Sequence, residues 1–332
     1  MILSCANAAL ALSRINSEKN PRCCWTAMPL DPRAARFLEM MAVGRVKSQT
    51  RDIADRRLGL QKLMAFAKAD HMSPPGTDLT LNDSIPARLY VPEGAENQIT
   101  PGIIFFHGGG LVAGSIDTHD VIARALCASS SCRLISVGYR LAPEHPFPAA
   151  LDDAIAAGGA ICTKAGNINI DPKRIALVGE SGGGALALLN AHELKEFTFA
   201  LLFLICPVLD FASESDSRRE FAEGYLIDRV VIEGDLADVL QGRAERTDPR
   251  VSPLHLTGLE RLPPTIIHTA EYDPLRDEGN SLASKLSNAA VRVTLHQHAG
   301  MLHNFHALGG IIPQGREALQ AMGEEIGKAL RA

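Results

Sequence analysis

The stretch Arg174-Ile-Ala-Leu-Val-Gly-Glu-Ser-Gly-Gly-Gly-Ala-Leu-Ala-Leu-Leu189 decides how the rest of the chain is read. The continuous apolar run Ile175-Ala-Leu-Val within Arg174–Val178 reads as a strand buried on both faces, and the small and apolar residues from Gly182 onward read as a helix. Between them, Gly179-Glu180-Ser181-Gly182-Gly183 is a G-x-S-x-G turn in which glycines stand two positions before and two after a serine. Side chains at those positions would collide in a sharp strand-to-helix turn, and such a turn lifts the serine hydroxyl to the carboxyl edge of a sheet. The helix N-terminus adds partial positive charge there. Ser181 is the candidate nucleophile.

On either side of this stretch, strand-like segments recur at Thr77–Leu81, Ala87–Val91, Gly102–Phe106, Arg133–Tyr139, Phe199–Ile205, Thr265–Thr269 and Val291–His296. Helix-like stretches separate them at Thr118–Ser129, Ala149–Gly166, Gly182–Glu193, Asp277–Leu286 and Arg316–Leu330. Alternation of this kind predicts an α/β fold, with eight mostly parallel strands and helices on both faces. The first two strands, joined around Asn82-Asp83, are expected to form an antiparallel hairpin. Before the strands, Asp31 to Ala69 carries helical spacing, with Ala34, Phe37, Leu38 and Met41 on one face and Leu60, Leu63, Met64 and Ala67 on the next. An insertion from about Phe211 to Pro253 is helical through Tyr225–Leu240 and, with the N-terminal helices, would cover one end of the sheet. The expected organisation is an extension over 1–27, N-terminal cap helices over 28–72, a catalytic core over 73–210 and 251–332, and a second cap segment over 211–250. Asp31 can cap the first helix and Pro32 open it, so Met28 looks like a natural beginning for folded structure. Cap residues such as Phe37, Met41, Tyr225 and Leu226 are expected to pack rather than to line a pocket.

A serine hydroxyl needs a base to take its proton, and an imidazole suits neutral pH. His303, just beyond the last strand in Gly300-Met-Leu-His-Asn-Phe305, is the expected base, leaving His296, His298 and His306 as surface or loop residues. Asp273, at the carboxyl end of Thr265–Thr269, is the expected acid that orients it, while Asp277 and Glu278 suit the start of a helix. His107-Gly108-Gly109-Gly110 follows another apolar strand, and the N–H groups of Gly108, Gly109 and Gly182 are placed to receive the oxyanion of an acyl intermediate. His107 itself reads as a residue that orients this loop.

The bulk numbers set limits. A net charge of −5 and a pI near 6.1 offer no broad basic surface, so nucleic acid is not an expected partner. The longest apolar run, Phe197 to Leu209, is too short for a bilayer span and contains Pro207. Ile2–Leu12 is apolar but has no preceding Lys or Arg, which argues against a secretory leader. Seven cysteines form no C-x-x-C pair, which fits free thiols in the reducing cytoplasm. No metal is expected, because the histidines show no H-E-x-x-H or comparable ligand spacing.

His107-Gly-Gly-Gly, Tyr139-Arg-Leu-Ala-Pro-Glu-His-Pro-Phe-Pro-Ala-Ala-Leu-Asp-Asp153, Gly179-Glu-Ser-Gly-Gly, Asp273-Pro-Leu-Arg-Asp-Glu-Gly279 and Gly300-Met-Leu-His303, in that order, resemble the hormone-sensitive-lipase family of microbial esterases. The resemblance runs from about Asp31 to the C-terminus. It implies an α/β-hydrolase fold with a helical cap, hydrolysing short- to medium-chain acyl esters through a Ser-His-Asp triad without a cofactor. The implied partner is a small-molecule ester, and a homodimer is left open. An amidase or lactonase would use the same triad. Plant gibberellin receptors resemble the family as non-catalytic binders but lack the histidine, which His303 supplies here. Two residues depart from the family's habit: Glu180 stands where Asp or Thr is common, and Gly182 where Ala is common. Arg140 and Glu144 are expected to pair as loop scaffolding.

Overall fold

Asn82 and Asp83 both take positive φ, 47° and 60°, the backbone that a tight hairpin demands. The computed structural model of the protein, which describes residues 28–45, 52–67 and 73–332, accordingly opens its sheet with an antiparallel pair. In chain order the strands are β1 (Gly76–Leu81), β2 (Ile85–Tyr90), β3 (Thr100–Phe106), β4 (Arg133–Val137), β5 (Ile170–Glu180), β6 (Leu201–Ile205), β7 (Thr265–Tyr272) and β8 (Val293–Leu302). They form one sheet in the order β1-β2-β4-β3-β5-β6-β7-β8, antiparallel at β1-β2 and β2-β4 and parallel elsewhere. The chain therefore carries an α/β-hydrolase arrangement, as its strand and helix rhythm predicts.

The helices are α1 (Pro32–Arg45), α2 (Ile53–Ala67), α3 (Asp120–Ser130), α4 (Ala149–Lys164), α5 (Gly182–Glu193), α6 (Asp216–Glu220), α7 (Arg229–Leu240), α8 (Arg276–Asn288) and α9 (Pro313–Arg331). Alternate residues of β3 show why it reads as an unbroken apolar run. Ile104 and Phe106 join Leu177, Leu204 and Ile267 in a core with Leu151 of α4, Leu186 of α5 and Leu282 of α8. Ile103 and Phe105 join Phe203 and Ile205 on the opposite face, with Ile122 and Leu126 of α3 and Leu319, Met322 and Ile326 of α9. Both faces are dry, so neither set of positions tolerates a polar side chain.

The N-terminal helix starts as expected, with the Asp31 carboxylate accepting the N–H groups of Arg33 and Ala34 at 2.8 and 3.3 Å. Ala34, Phe37, Met64 and Ala67 are buried in the second core, and Leu38, Met41, Leu60 and Leu63 lean against it. Residues 1–27 lie outside the described residues, and so does the expected extension there.

Several boundaries differ from the sequence reading for local reasons. Ser115 and Thr118 spend their hydroxyls and N–H groups on each other, so α3 begins at Asp120. Leu226 at φ 75° cannot continue a right-handed helix, and α7 begins only at Arg229 instead of running from Tyr225. β8 continues six residues past His296 because it stays paired with β7 as far as Tyr272 and Leu302. No helix among the described residues is long and apolar enough to cross a membrane.

Candidate active site

β5 ends in the sharp turn that its glycines anticipate. A Cβ on Gly179 would stand 2.2 Å from the Gly183 carbonyl oxygen, and one on Gly183 would stand 2.1 Å from that of Phe106. Only glycine fits at either place. Ser181 is held at φ 51°, ψ −118°, a costly backbone for an L-residue. Two backbone hydrogen bonds pin it, from its N–H to the Ile205 carbonyl at 2.9 Å and from the Val208 N–H to its own carbonyl at 3.0 Å. The hydroxyl therefore projects at the carboxyl edge of the sheet just ahead of α5.

Two further strand ends bring the expected partners. Asp273 follows β7, and His303 follows β8. The Nδ1 of His303 lies 2.8 Å from Asp273 Oδ2, and its Nε2 lies 3.1 Å from Ser181 Oγ. With Nδ1–H donating to the carboxylate, Nε2 is free to accept the serine proton. Asp273 is fixed in turn because its Oδ1 accepts the Leu275 N–H at 2.8 Å. All three side chains are buried. Cys206, beyond the end of β6, joins them, with ligating atoms of Cys206, Asp273 and His303 all within 4.8 Å. Burial pushes its thiol well above the usual range, so it sits there as a neutral neighbour.

The loop after β3 lies against this serine. A Cβ on Gly108 would be 3.3 Å from that of Ser181, and Gly109, at φ 117°, has the Ala113 carbonyl where a side chain would begin. His107 is the loop's anchor. Its ring stacks on Tyr139 with centroids 4.3 Å apart, its Nδ1–H donates to the Gly108 carbonyl at 2.8 Å, and the Tyr139 hydroxyl donates to the His107 carbonyl at 2.7 Å. Burial lowers the His107 pKa to about 3, so it is neutral at working pH and holds the loop without taking a proton.

Glu180 behaves differently from a short residue at its position. Its carboxylate reaches into a buried space between His119 and His306, each 3.6 Å away through Nε2. Burial pushes this carboxyl up, but the imidazoles of His119, His306 and His303 outweigh it and hold it at about 2. His306, expected at the surface or in a loop, is buried in this cluster instead. The cluster is not legible in the sequence, because His119, Glu180 and His306 share no motif and meet only in the folded chain.

The Arg140 and Glu144 pair is also corrected. Arg140 binds Asp153 of α4 in bidentate fashion at 2.8 and 2.7 Å, and its own N–H adds a third contact. Glu144 is taken by Arg57 of α2, which also donates to the Val112 and Ala142 carbonyls at 2.9 and 3.0 Å. Glu278 does more than start a helix. It is buried, accepts the N–H groups of Leu209 and Asp210 at 2.6 and 2.8 Å, and pairs with Arg218.

Above Ser181 opens a pocket of about 300 Å³, walled by Met41, Leu60, Leu63, Leu226, Ile232 and Leu308, with His303 and Ser181 at its floor. Met41 and Leu226 therefore do line it, whereas Phe37 and Tyr225 are buried in the core behind. Asp235 of α7 joins the rim, 3.0 Å from Arg56 of α2. Its carboxyl is raised by burial to about 6 against the pull of Arg56.

A family described as the alpha/beta hydrolase fold matches residues 103–307. Ethyl acetate hydrolase of Pseudomonas putida is 33% identical over 314 residues, covering 90% of this chain and 99% of that protein. Carboxylesterase NlhH of Mycobacterium tuberculosis is 36% identical over 243 residues, covering 70% of this chain and 75% of that protein. Among solved structures, an ester-hydrolase from the metagenome of Lake Arreo, complexed with a bipyridine phosphonate derivative, superposes with a TM-score of 0.86 at 34% identity. It matches over 92% of this chain and 100% of its own.

Proposed function

The chain belongs to the hormone-sensitive-lipase family of α/β-hydrolases and is a carboxylic ester hydrolase, and from that premise we propose that Ser181, His303 and Asp273 carry the reaction. The observation that carries this reading is the unbroken contact chain from Ser181 Oγ through His303 to Asp273. As Ser181 Oγ attacks the ester carbonyl, His303 Nε2 takes its proton, and Asp273 stabilises the imidazolium. The N–H groups of Gly108, Gly109 and Gly182 receive the oxyanion. Collapse of the intermediate breaks the bond to the alcohol, which leaves with the proton from His303. Water, deprotonated by the same imidazole, then attacks the acyl-serine, and the acid departs as Ser181 recovers its proton. No step calls for a cofactor.

The substrate is a short- to medium-chain acyl ester, a reading supported by the small apolar pocket above the serine. The described residues 28–45 and 52–67, together with 211–250, form the cap over it, a reading supported by Met41, Leu60 and Leu63 on one side and Leu226 and Ile232 on the other. A cytoplasmic location fits the buried, unpaired thiols of Cys127, Cys132, Cys162 and Cys206. Replacing Ser181→Ala is the direct test: turnover of a chromogenic butyrate ester should fall by at least about 10³-fold with the fold intact by circular dichroism. A variant that keeps its activity removes Ser181 from the reaction.

A further inference from the structure

On the sheet face covered by α9, three residues distant in sequence come together outside the pocket. His268 of β7 and His296 of β8 are register partners on neighbouring parallel strands, so their rings stand side by side, with centroids 4.7 Å apart. Glu325 of α9 lies over both. Its Oε2 is 3.1 Å from His268 Nε2 and its Oε1 is 2.9 Å from His296 Nε2. We propose that His268, His296 and Glu325 form a binding site for a divalent transition-metal ion, with zinc the best fit.

The donor set is two imidazoles and one carboxylate, which suits zinc, nickel or copper and not the all-oxygen preference of calcium or magnesium. One ligand atom from each residue already lies within 4.8 Å of the others. Zinc bonds of about 2.0–2.2 Å need no larger a cluster than this. Among the described residues, Glu325 is paired with these imidazoles and with no Lys or Arg, so no permanent cation occupies the place of the ion. His268 has an outer partner as well, since its Nδ1 lies 2.9 Å from His298 Nε2. A metal-ligating imidazole is held in this way through its second nitrogen, which fixes the ring with its other nitrogen towards the ion. Access is open on one side, because the His296 and Glu325 side chains are 42% and 30% exposed while His268 is buried. The remaining coordination position faces solvent and would hold water. Such an ion would fasten α9 to the two last strands of the sheet, a structural role separate from ester hydrolysis.

Titration calorimetry of the whole protein, freed of metal with a chelator and then given zinc chloride in a non-coordinating buffer, tests the site. His303→Ala is included because Cys206, Asp273 and His303 could also take zinc. We expect one ion per chain at this cluster, retained in His303→Ala and lost in His296→Ala and in Glu325→Gln. Loss of the outer partner in His298→Ala should weaken binding by about 10–100-fold. His296 is half-exposed, so its variant should fold, and without metal it should hydrolyse ester as the parent does. Zinc should raise the melting temperature of the parent and leave that of His296→Ala unchanged. No zinc binding by the parent at 100-fold metal excess would overturn the proposal. Binding that survives both His296→Ala and Glu325→Gln, or that vanishes only with His303→Ala, would overturn it equally.

Discussion

Ser181 is surrounded by residues whose effects can be told apart one at a time. Gly182 has room that its neighbours lack, since an added Cβ would meet nothing nearer than 3.4 Å, so Gly182→Ala should fold and keep its kcat/KM within a few-fold. A large loss would show that the elbow needs more than the N–H of that residue. Glu180 is the opposite case, a buried carboxylate whose removal leaves His119 and His306 facing an empty space. Glu180→Ala should cost on the order of 1–3 kcal/mol in chemical denaturation, through the cavity and the unpartnered imidazoles it leaves. Asp235 gives a pH signature with a definite sign. Its folded pKa is raised from 3.8 to about 6, so the ionised form is penalised on folding; stability is full below about pH 4 and falls as pH rises through 6. Asp235→Asn should therefore be more stable than the parent above pH 7, by on the order of 2–3 kcal/mol, with the difference vanishing near pH 4. Melting curves across that range decide it. Of these residues only Ser181, Asp273, His303 and the loop glycines were legible in sequence, because each sits in a short motif at a strand end. Glu180 was visible as an oddity, but its partners stand 61 positions before it and 126 after it, where no spacing rule reaches.

At the scale of elements, all eight strands could be read from apolar runs and turn residues, and the differences lie in where they begin and stop. β8 passes through His296-Gln-His298, which looks like the end of a strand but is its alternation at the sheet edge, with His296 and His298 half-buried on one face and Gln297 exposed on the other. The same alternation hid the histidine and glutamate cluster, since ligands from two strands and a helix have no common period. Cross-element anchors were equally invisible, and Arg57 shows what they do. It ties α2, which walls the pocket with Leu60 and Leu63, to two backbone carbonyls on the core loops. Its ion pair with Glu144 is half-exposed and contributes little, so the carbonyl bonds are the main hold. Arg57→Ala should loosen that wall by about 1 kcal/mol, seen as roughly a fivefold rise in KM with kcat less affected. A fall in kcat alone would place Arg57 closer to the chemistry than its contacts indicate.

The whole molecule depends on its last helix more than its position at the end of the chain suggests. α9 buries Leu319, Met322, Ile326 and Leu330 against α3 and the sheet. Four such side chains are worth roughly 6–12 kcal/mol, which matches the entire stability of an ordinary domain. A chain ending at Ile312 should be insoluble or molten, with its near-ultraviolet dichroism lost, whereas removal of Ala332 alone should be silent. The way Ser181 and His303 are brought together has a kinetic consequence. Ser181 and His303 are 122 positions apart, on strands separated in the sheet by β6 and β7. Their meeting is a long-range contact that cannot precede closure of that half of the sheet. During refolding from denaturant, recovery of esterase activity should therefore lag behind recovery of far-ultraviolet dichroism, and its rate should time the docking of the final strand.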